Sequence, residues 1–166
     1  MSLPLPADFA RLDDAAAVGF ARPDVLVSTD EAAFLTANLA ATYYGFWNNG
    51  SAALFDATVS PSYIDHTLPA GRRQGASGLA DAGAAFFAAF PDGRVKVLQQ
   101  MLVGDRIVSH LRVTGTFAGT RKGVAGTGQA IDYLATDIMR VVDGLIVENW
   151  HVEDHETLHR QLAVAS

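Results

Sequence analysis

The sequence contains no cysteine, which excludes a disulfide framework, a thiol nucleophile and a zinc site with cysteine ligands. Charged residues are scarce, since they make up 18% of the 166 residues against about 25% in typical soluble domains. Basic residues are the rarer kind: 12 Lys or Arg stand against 18 Asp or Glu, which gives a net charge of −6. A nucleic-acid binder normally needs a basic face, so no nucleic-acid partner is expected.

Long hydrophobic runs are missing as well, although apolar residues reach an ordinary 49%. The longest apolar stretch, residues 82–90, is far shorter than the roughly 20 residues that cross a bilayer, so no membrane partner is expected. Residues 1–6 show no basic segment before an apolar run, so no signal peptide is predicted. We expect a soluble, cytoplasmic globular protein with one main domain.

The two halves of the chain differ in composition. Before Pro91 lie 22 of the 28 alanines, which favours helices, whereas Val and Ile are frequent after it and favour strands. Helices followed by strands indicate an α+β domain rather than alternating βαβ units. Residues 1–27 carry three prolines and a short helical stretch at 8–20. We interpret 1–27 as an N-terminal arm and 28–166 as the domain.

Local signals place the elements of this domain. Ser28 and Glu31 have the spacing of a capping box, and Asn48-Asn49-Gly50 is a typical helix stop, so the first firm helix is predicted between them. Asp143-Gly144 is typical of a hairpin turn between two strands. Further helices are predicted over 51–57, 77–90 and 154–162, a short extended piece at 63–66, and strands over 94–103, 106–117, 131–142 and 145–152.

Asp137 is the first candidate for chemistry. Alternation along its strand puts it on one face with apolar residues and the Tyr133 hydroxyl. A carboxylate there is poorly solvated, so we expect its pKa to be raised and its proton to exchange near neutral pH. The alternative is a structural carboxylate at a sheet edge or paired with an arginine such as Arg140. The residues of this face are Ile131, Tyr133, Ala135, Asp137, Met139 and Val141.

Three histidines and an asparagine are further candidates. Asn149 and His151 share a strand face, and pairing after the Asp143-Gly144 turn would put that face beside Asp137; a structural polar ladder is the alternative. His66 follows an extended piece and could exchange a proton at neutral pH, or bond to backbone. The face of His110 stays open because Gly115 could introduce a bulge.

Two other patterns match known motifs without their context. His155-Glu-Thr-Leu-His159 reads H-E-x-x-H, but its predicted helix is short, terminal and polar, so no metal site is expected. The glycine-rich segment 119–128 lacks the strand-loop-helix context of a phosphate loop. We expect it to join two strands and flex over a pocket, and no cofactor is predicted.

Five segments carry a family resemblance. The most specific is the run T-D-I-M-R-V-V-D-G-L-I-V-E-N-W-H-V-E-D at residues 136–154. The shorter ones are Y-I-D-H-T-L-P (63–69), F-F-A-A-F-P-D (86–92), G-D-R-I-V (104–108) and V-T-G-T-F-A-G (113–119). Over residues 30–162 the chain resembles the SnoaL-like polyketide cyclases of the nuclear-transport-factor-2-like superfamily. The resemblance implies a cone: a curved, mainly antiparallel sheet wrapped by three helices, with a pocket at its open end.

The resemblance also implies roles for single residues. In the cyclases the Asp at the position of Asp137 is the acid/base residue, and ketosteroid isomerases place a protonated oxyanion-hole Asp there. His66 would lie at the pocket rim, in the segment that carries the isomerases' general base. Tyr43 has the spacing of their oxyanion-binding tyrosine, although Tyr43 and Tyr44 could simply pack. Asp137, His66 and His151 are thus the predicted catalytic residues. The predicted substrate contacts are Tyr43, Asn149, Tyr133, Met139 and His110.

The function implied by the resemblance is intramolecular aldol cyclisation of a hydrophobic polyketide ester, without cofactor or metal. The alternatives are a related isomerase, dehydratase or hydrolase, or a non-catalytic binding or dimerisation module, because the fold alone does not decide function. Many family members carry a histidine in the turn where this chain has Phe117, so His66 or His151 would replace it, or the reaction differs. A homodimer or larger homo-oligomer is expected through the outer sheet face, predicted to carry Ile146 and Trp150.

Overall fold

The computed structural model describes residues 21–28 and 33–162. The predicted helix at 8–20 and the Glu31 position of the capping box lie outside these residues. The helices are α1 (Ala33–Asn49), α2 (Ala52–Asp56), α3 (Ala76–Ala89) and α4 (His155–Leu162). The strands are β1 (Val25–Ser28), β2 (Val59–Asp65), β3 (Arg94–Val103), β4 (Arg106–Phe117), β5 (Thr120–Arg121), β6 (Val124–Ala125), β7 (Gln129–Val142) and β8 (Leu145–Glu153).

Six of these strands form one sheet in the order β1-β3-β4-β7-β8-β2. The three central pairings are antiparallel, and the outer strands β1 and β2 pair in parallel with β3 and β8. The predicted α+β class and mainly antiparallel curved sheet are confirmed. β1 begins inside the segment interpreted as an arm and ends at the first residue of the domain. No strand was predicted there, because four residues are too few to show an alternation.

The glycine-rich segment after β4 contains a small hairpin of its own, in which β5 pairs with β6. α1 packs against β3, while α3 packs against β2 and β5. Burial alternates along β7 as predicted, with Ile131, Tyr133 and Ala135 buried and their neighbours exposed. The apolar core therefore lies between this inner face and the helices, and the other face of the sheet points outward.

A bulge in β8 decides which residues face inward. Val141 pairs with Ile146 but Arg140 pairs with Glu148, so Val147 is the extra residue. The bulge turns Ile146 into the core, where it is fully buried, while Trp150 remains half-buried on the outer face. The prediction that Ile146 shares a face with Glu148 and Trp150 is wrong for this reason.

The root of the β5–β6 hairpin touches the end of α3 so closely that only glycine fits. A Cβ on Gly119 would lie 1.7 Å from the backbone oxygen of Ala88, and the Gly119 amide donates to Ala89 O. We expect Gly119→Ala to lower the free energy of unfolding by about 1–3 kcal/mol, the usual cost of overpacking. Urea denaturation measures this, with Ala118→Ser at the exposed neighbour as control. Equal stability of the two variants would contradict the prediction.

Candidate active site

The inner face of the sheet and helices α1 and α3 enclose a cavity of about 660 Å³. This volume suits a small organic molecule. Its walls are largely apolar and aromatic, with contributions from Trp47, Phe86 and Leu111. Polar and charged side chains complete the lining, and Asp137 is the most deeply buried of its carboxylates.

Asp137 lies in the middle of β7 with 3% of its surface exposed. Its Oδ1 accepts hydrogen bonds from Asn149 Nδ2 at 2.9 Å and from His151 Nδ1 at 2.8 Å. Its Oδ2 accepts one from the Tyr44 hydroxyl at 2.8 Å. His151 stands directly opposite Asp137 in the β7–β8 pairing, so the strand register builds this cluster.

The three donors determine the protonation of Asp137. Burial raises the pKa of this carboxyl, but the charge of His151 and the bonds from His151, Asn149 and Tyr44 outweigh burial and lower it below the usual value. The predicted upward shift is therefore wrong, because it considered only the apolar face. The alternative pairing with Arg140 is also wrong, since Arg140 binds Glu148.

His151 carries the matching positive charge. Burial lowers the pKa of its imidazole, yet Asp137 and Glu153 together raise it to about 10. Its Nε2 lies 3.2 Å from Glu153 Oε1, and Glu153 Oε2 lies 3.3 Å from His155 Nδ1. At neutral pH Asp137 and His151 thus form an ion pair. A chain of titratable groups runs from this pair to the exposed His155.

Four tyrosines line the same cavity: Tyr43, Tyr44, Tyr63 and Tyr133. Burial raises the pKa of each, so all are neutral at physiological pH. Tyr44 rather than Tyr43 bonds to Asp137. Adjacent residues of a helix point about 100° apart, and the sequence did not show which of the two faces the sheet.

Two buried polar atoms beside Asp137 lack a hydrogen-bond partner of normal geometry among the described residues: the Tyr63 hydroxyl and the Asn149 side-chain oxygen. Burial raises the pKa of Tyr63, and a side-chain hydrogen bond with Asn149, looser than normal geometry, opposes this. Leaving a buried polar group unsatisfied costs about 1–3 kcal/mol. Both residues line the cavity, so a bound molecule can satisfy them. Tyr63 was not predicted as a site residue, although it shares a face of β2 with Asp65.

The structure does not bring His66, His110 or Met139 to the cavity, and the predictions for these three residues are wrong. Side chains alternate along β2, so Asp65 lines the cavity while His66 bonds to Glu148 at 2.9 Å on the outer face. The β4–β7 pairing continues through position 115 without a bulge, which leaves His110 on the outer face beside Thr136. Met139 is fully buried in the core rather than exposed to the cavity.

The H-E-x-x-H segment forms the start of α4, where the His155 and His159 rings stack 6.0 Å apart. Within residues 21–28 and 33–162, no group of three or more His, Asp or Glu side chains is arranged to hold a metal ion. Within the same ranges, no helix is long and apolar enough to cross a membrane.

A curved, mainly antiparallel sheet packed against helices matches the cone fold of the nuclear-transport-factor-2-like superfamily. The model of the SnoaL-like polyketide cyclases matches residues 37–162, which is most of the chain. The chain belongs to this family.

Solved structures support the assignment. A candidate polyketide cyclase from Bacillus cereus shares 31% identity at a TM-score of 0.78, over 97% of each chain. IdmH from Streptomyces antibioticus, also described as a candidate polyketide cyclase, shares 26% identity at a TM-score of 0.68. The match covers 77% of this chain and 98% of IdmH. AclR from Streptomyces galilaeus, described as a candidate hydroxylase, shares 26% identity at a TM-score of 0.69. The match covers 78% of this chain and 85% of AclR. No curated protein matches the sequence.

Proposed function

We propose that the protein is an enzyme that cyclises a polyketide ester by an intramolecular aldol reaction, using acid–base catalysis by its own side chains. The observation that carries this proposal is an ionised carboxylate, Asp137, held in the wall of an apolar cavity. Among the described residues, its Oδ2 accepts only the Tyr44 hydrogen bond and keeps a lone pair that can take a proton from a bound carbon acid. Since its lowered pKa makes Asp137 a weaker base than free aspartate, the enolate must be stabilised as it forms. Family membership supports the reaction class.

In the proposed first step, Asp137 removes a proton from the α-carbon of the substrate and leaves an enolate. The neutral Tyr63 hydroxyl, which has no protein partner of normal geometry among the described residues, donates a hydrogen bond to the enolate oxygen. His151 keeps its proton and holds Asp137 in place.

In the second step, the enolate carbon attacks a ketone carbonyl of the same molecule and forms the new carbon–carbon bond. The resulting alkoxide takes the proton back from Asp137. The product is an isomer of the substrate, so the two-step reaction needs no oxidant, reductant or leaving group. Each step uses only the proton that Asp137 has received.

The test is to incubate the protein with an aromatic β-keto ester that carries a second ketone. We expect a product of unchanged mass with a new tertiary alcohol, detected by liquid chromatography and NMR above the buffer rate. Binding without turnover would contradict the proposal and favour a non-catalytic binding module.

For the partner, we propose a homodimer formed through the outer face of the sheet. Large apolar side chains stay exposed on this face. Single exposed apolar residues are normal on a protein surface, but a contiguous set marks an interaction site. Light scattering after size exclusion is expected to give twice the mass of 17.6 kDa at micromolar concentration. Ile138→Lys at the centre of the face should give a monomer, and Val124→Lys on the β5–β6 hairpin should not. A monomeric wild-type protein would contradict the proposal. The exposed residues are Met101, Val103, Leu134, Ile138, Val142 and Val152.

A further inference from the structure

The basic side chains fall into two groups. In the described part of the chain, Arg72, Arg121 and Lys122 form no salt bridge, and all three line the cavity. Elsewhere in the described residues five basic side chains pair with carboxylates, whereas Arg94 and Arg160 bond only to neutral groups. The paired ones are Arg73, Lys96, Arg106, Arg112 and Arg140.

The three cations reach the lining of the same cavity from segments far apart in the sequence. Arg72 follows β2, whereas Arg121 and Lys122 lie on the β5–β6 hairpin. Two of these charges act on tyrosines of the cavity wall. Burial raises the pKa of Tyr63 and of Tyr133, and the positive charges of Arg72 and Arg121, respectively, oppose this rise. The cations thus belong to the cavity rather than to the remote surface.

The acidic groups of the cavity offset these cations only in part, although Arg121 lowers the pKa of Glu153. Asp137 is balanced by His151, and Glu153 lies between His151 and His155. Asp65 accepts hydrogen bonds from the amide and hydroxyl of the neutral Thr67 at 2.8 and 3.0 Å, which leave its negative charge in place. With the exposed His155 left out, the cavity lining therefore holds one more cation than carboxylates, in a chain whose net charge is −6. A local positive field on an acidic protein attracts anions to this opening.

We propose that Arg72, Arg121 and Lys122 bind an anionic group of the substrate while its apolar body fills the cavity. This inference rests on the proposed function, because it takes the cavity as the substrate site. The anionic group is a set of charged oxygens, either a carboxylate of a free acid or the phosphates of a coenzyme A thioester. Arginine pairs with both through parallel hydrogen bonds.

Calorimetric titration with three matched probes tests the proposal: 2-naphthoate, methyl 2-naphthoate and 2-naphthoyl-coenzyme A. We expect at least one of the two anions to bind about ten-fold or more tightly than the neutral ester at roughly 50 mM salt, and the preference to shrink as salt rises. Tighter binding of the naphthoate identifies a carboxylate ligand, and tighter binding of the thioester identifies a phosphate ligand.

The double variant Arg121→Gln/Lys122→Gln should bring the anion to within about two-fold of the methyl ester and leave the affinity for that ester unchanged. Arg160→Gln, an exposed arginine of α4 that does not line the cavity, is the matched control and should keep the preference. A methyl ester that binds as tightly as both anions, or no binding of either anion, would overturn the proposal. An anion preference without aldol turnover would instead remove only the proposed function.

Discussion

Asp137→Asn is expected to lower turnover of the aromatic β-keto ester by about 10²–10⁴-fold, the contribution typical of a positioned acid–base group. The amide has nearly the shape of the carboxylate, so the side chain still fits between Tyr44 and Asn149. It cannot take a proton from carbon, however. The loss should therefore appear in kcat, with a KM close to that of the wild type.

Asp132→Asn is the matched control on the same strand. Asp132 points outward and pairs with Arg112, so its loss should leave turnover unchanged. Circular dichroism at about 25 °C must show that both variants are folded, because Asp137→Asn also removes the counter-ion of His151. Full activity of folded Asp137→Asn would remove the proposed mechanism.

The sequence predicted most of this architecture because β4 and β7 are long and regular. Strict alternation along β7 places Asp137 on the inner face, and no tertiary information is needed for that step. The hairpin turn at Asp143-Gly144 was also predictable, because Asp-Gly is a typical pair for a turn with positive φ at both residues. In the structure these φ angles are 50° and 74°. The elements and one wall of the site follow from these local signals.

The partner of Asp137 depends on an irregularity that the sequence does not reveal. A regular two-residue hairpin at Asp143-Gly144 would place Trp150 opposite Asp137. The bulge at Val147 shifts the pairing by one residue and brings His151 there instead. The predicted neighbourhood of Asp137, Asn149 and His151 thus agrees with the structure because of a bulge that was not predicted.

Other parts of the site depend on contacts that only the folded chain makes. The register of β2 against β8 shifts between Val59 and Ile64. Alternation from the start of the strand therefore could not show that Asp65 faces inward and His66 outward. The pKa of Asp137 depends on donors from α1 and β8, including Tyr44 from 93 residues away. Alternation predicts a face but not the groups that approach it.

The second large effect concerns stability and its dependence on pH. His151→Gln leaves the buried charge of Asp137 without its counter-ion, and breaking a fully buried pair in this way costs about 3–5 kcal/mol. Since the His151 side chain is 35% exposed, solvent screens part of the interaction, and we expect a loss of about 2–3 kcal/mol at about pH 6. His110→Gln, which removes a half-buried imidazole from the outer face, is the matched control.

The pH dependence separates this ion pair from a packing effect. The pKa of His151 is raised from 6.5 to about 10 in the folded protein, so its stabilisation is complete below pH 6.5 and is lost as the pH rises towards 10. The pKa of Asp137 is lowered, so its contribution is lost only as the pH falls below 3.8. Urea denaturation at about pH 5.5, 7.5 and 9.5 should therefore show the difference between wild type and His151→Gln shrinking with rising pH. A difference of constant size would mean that His151 contributes only by packing, and that Asp137 and His151 do not form an ion pair.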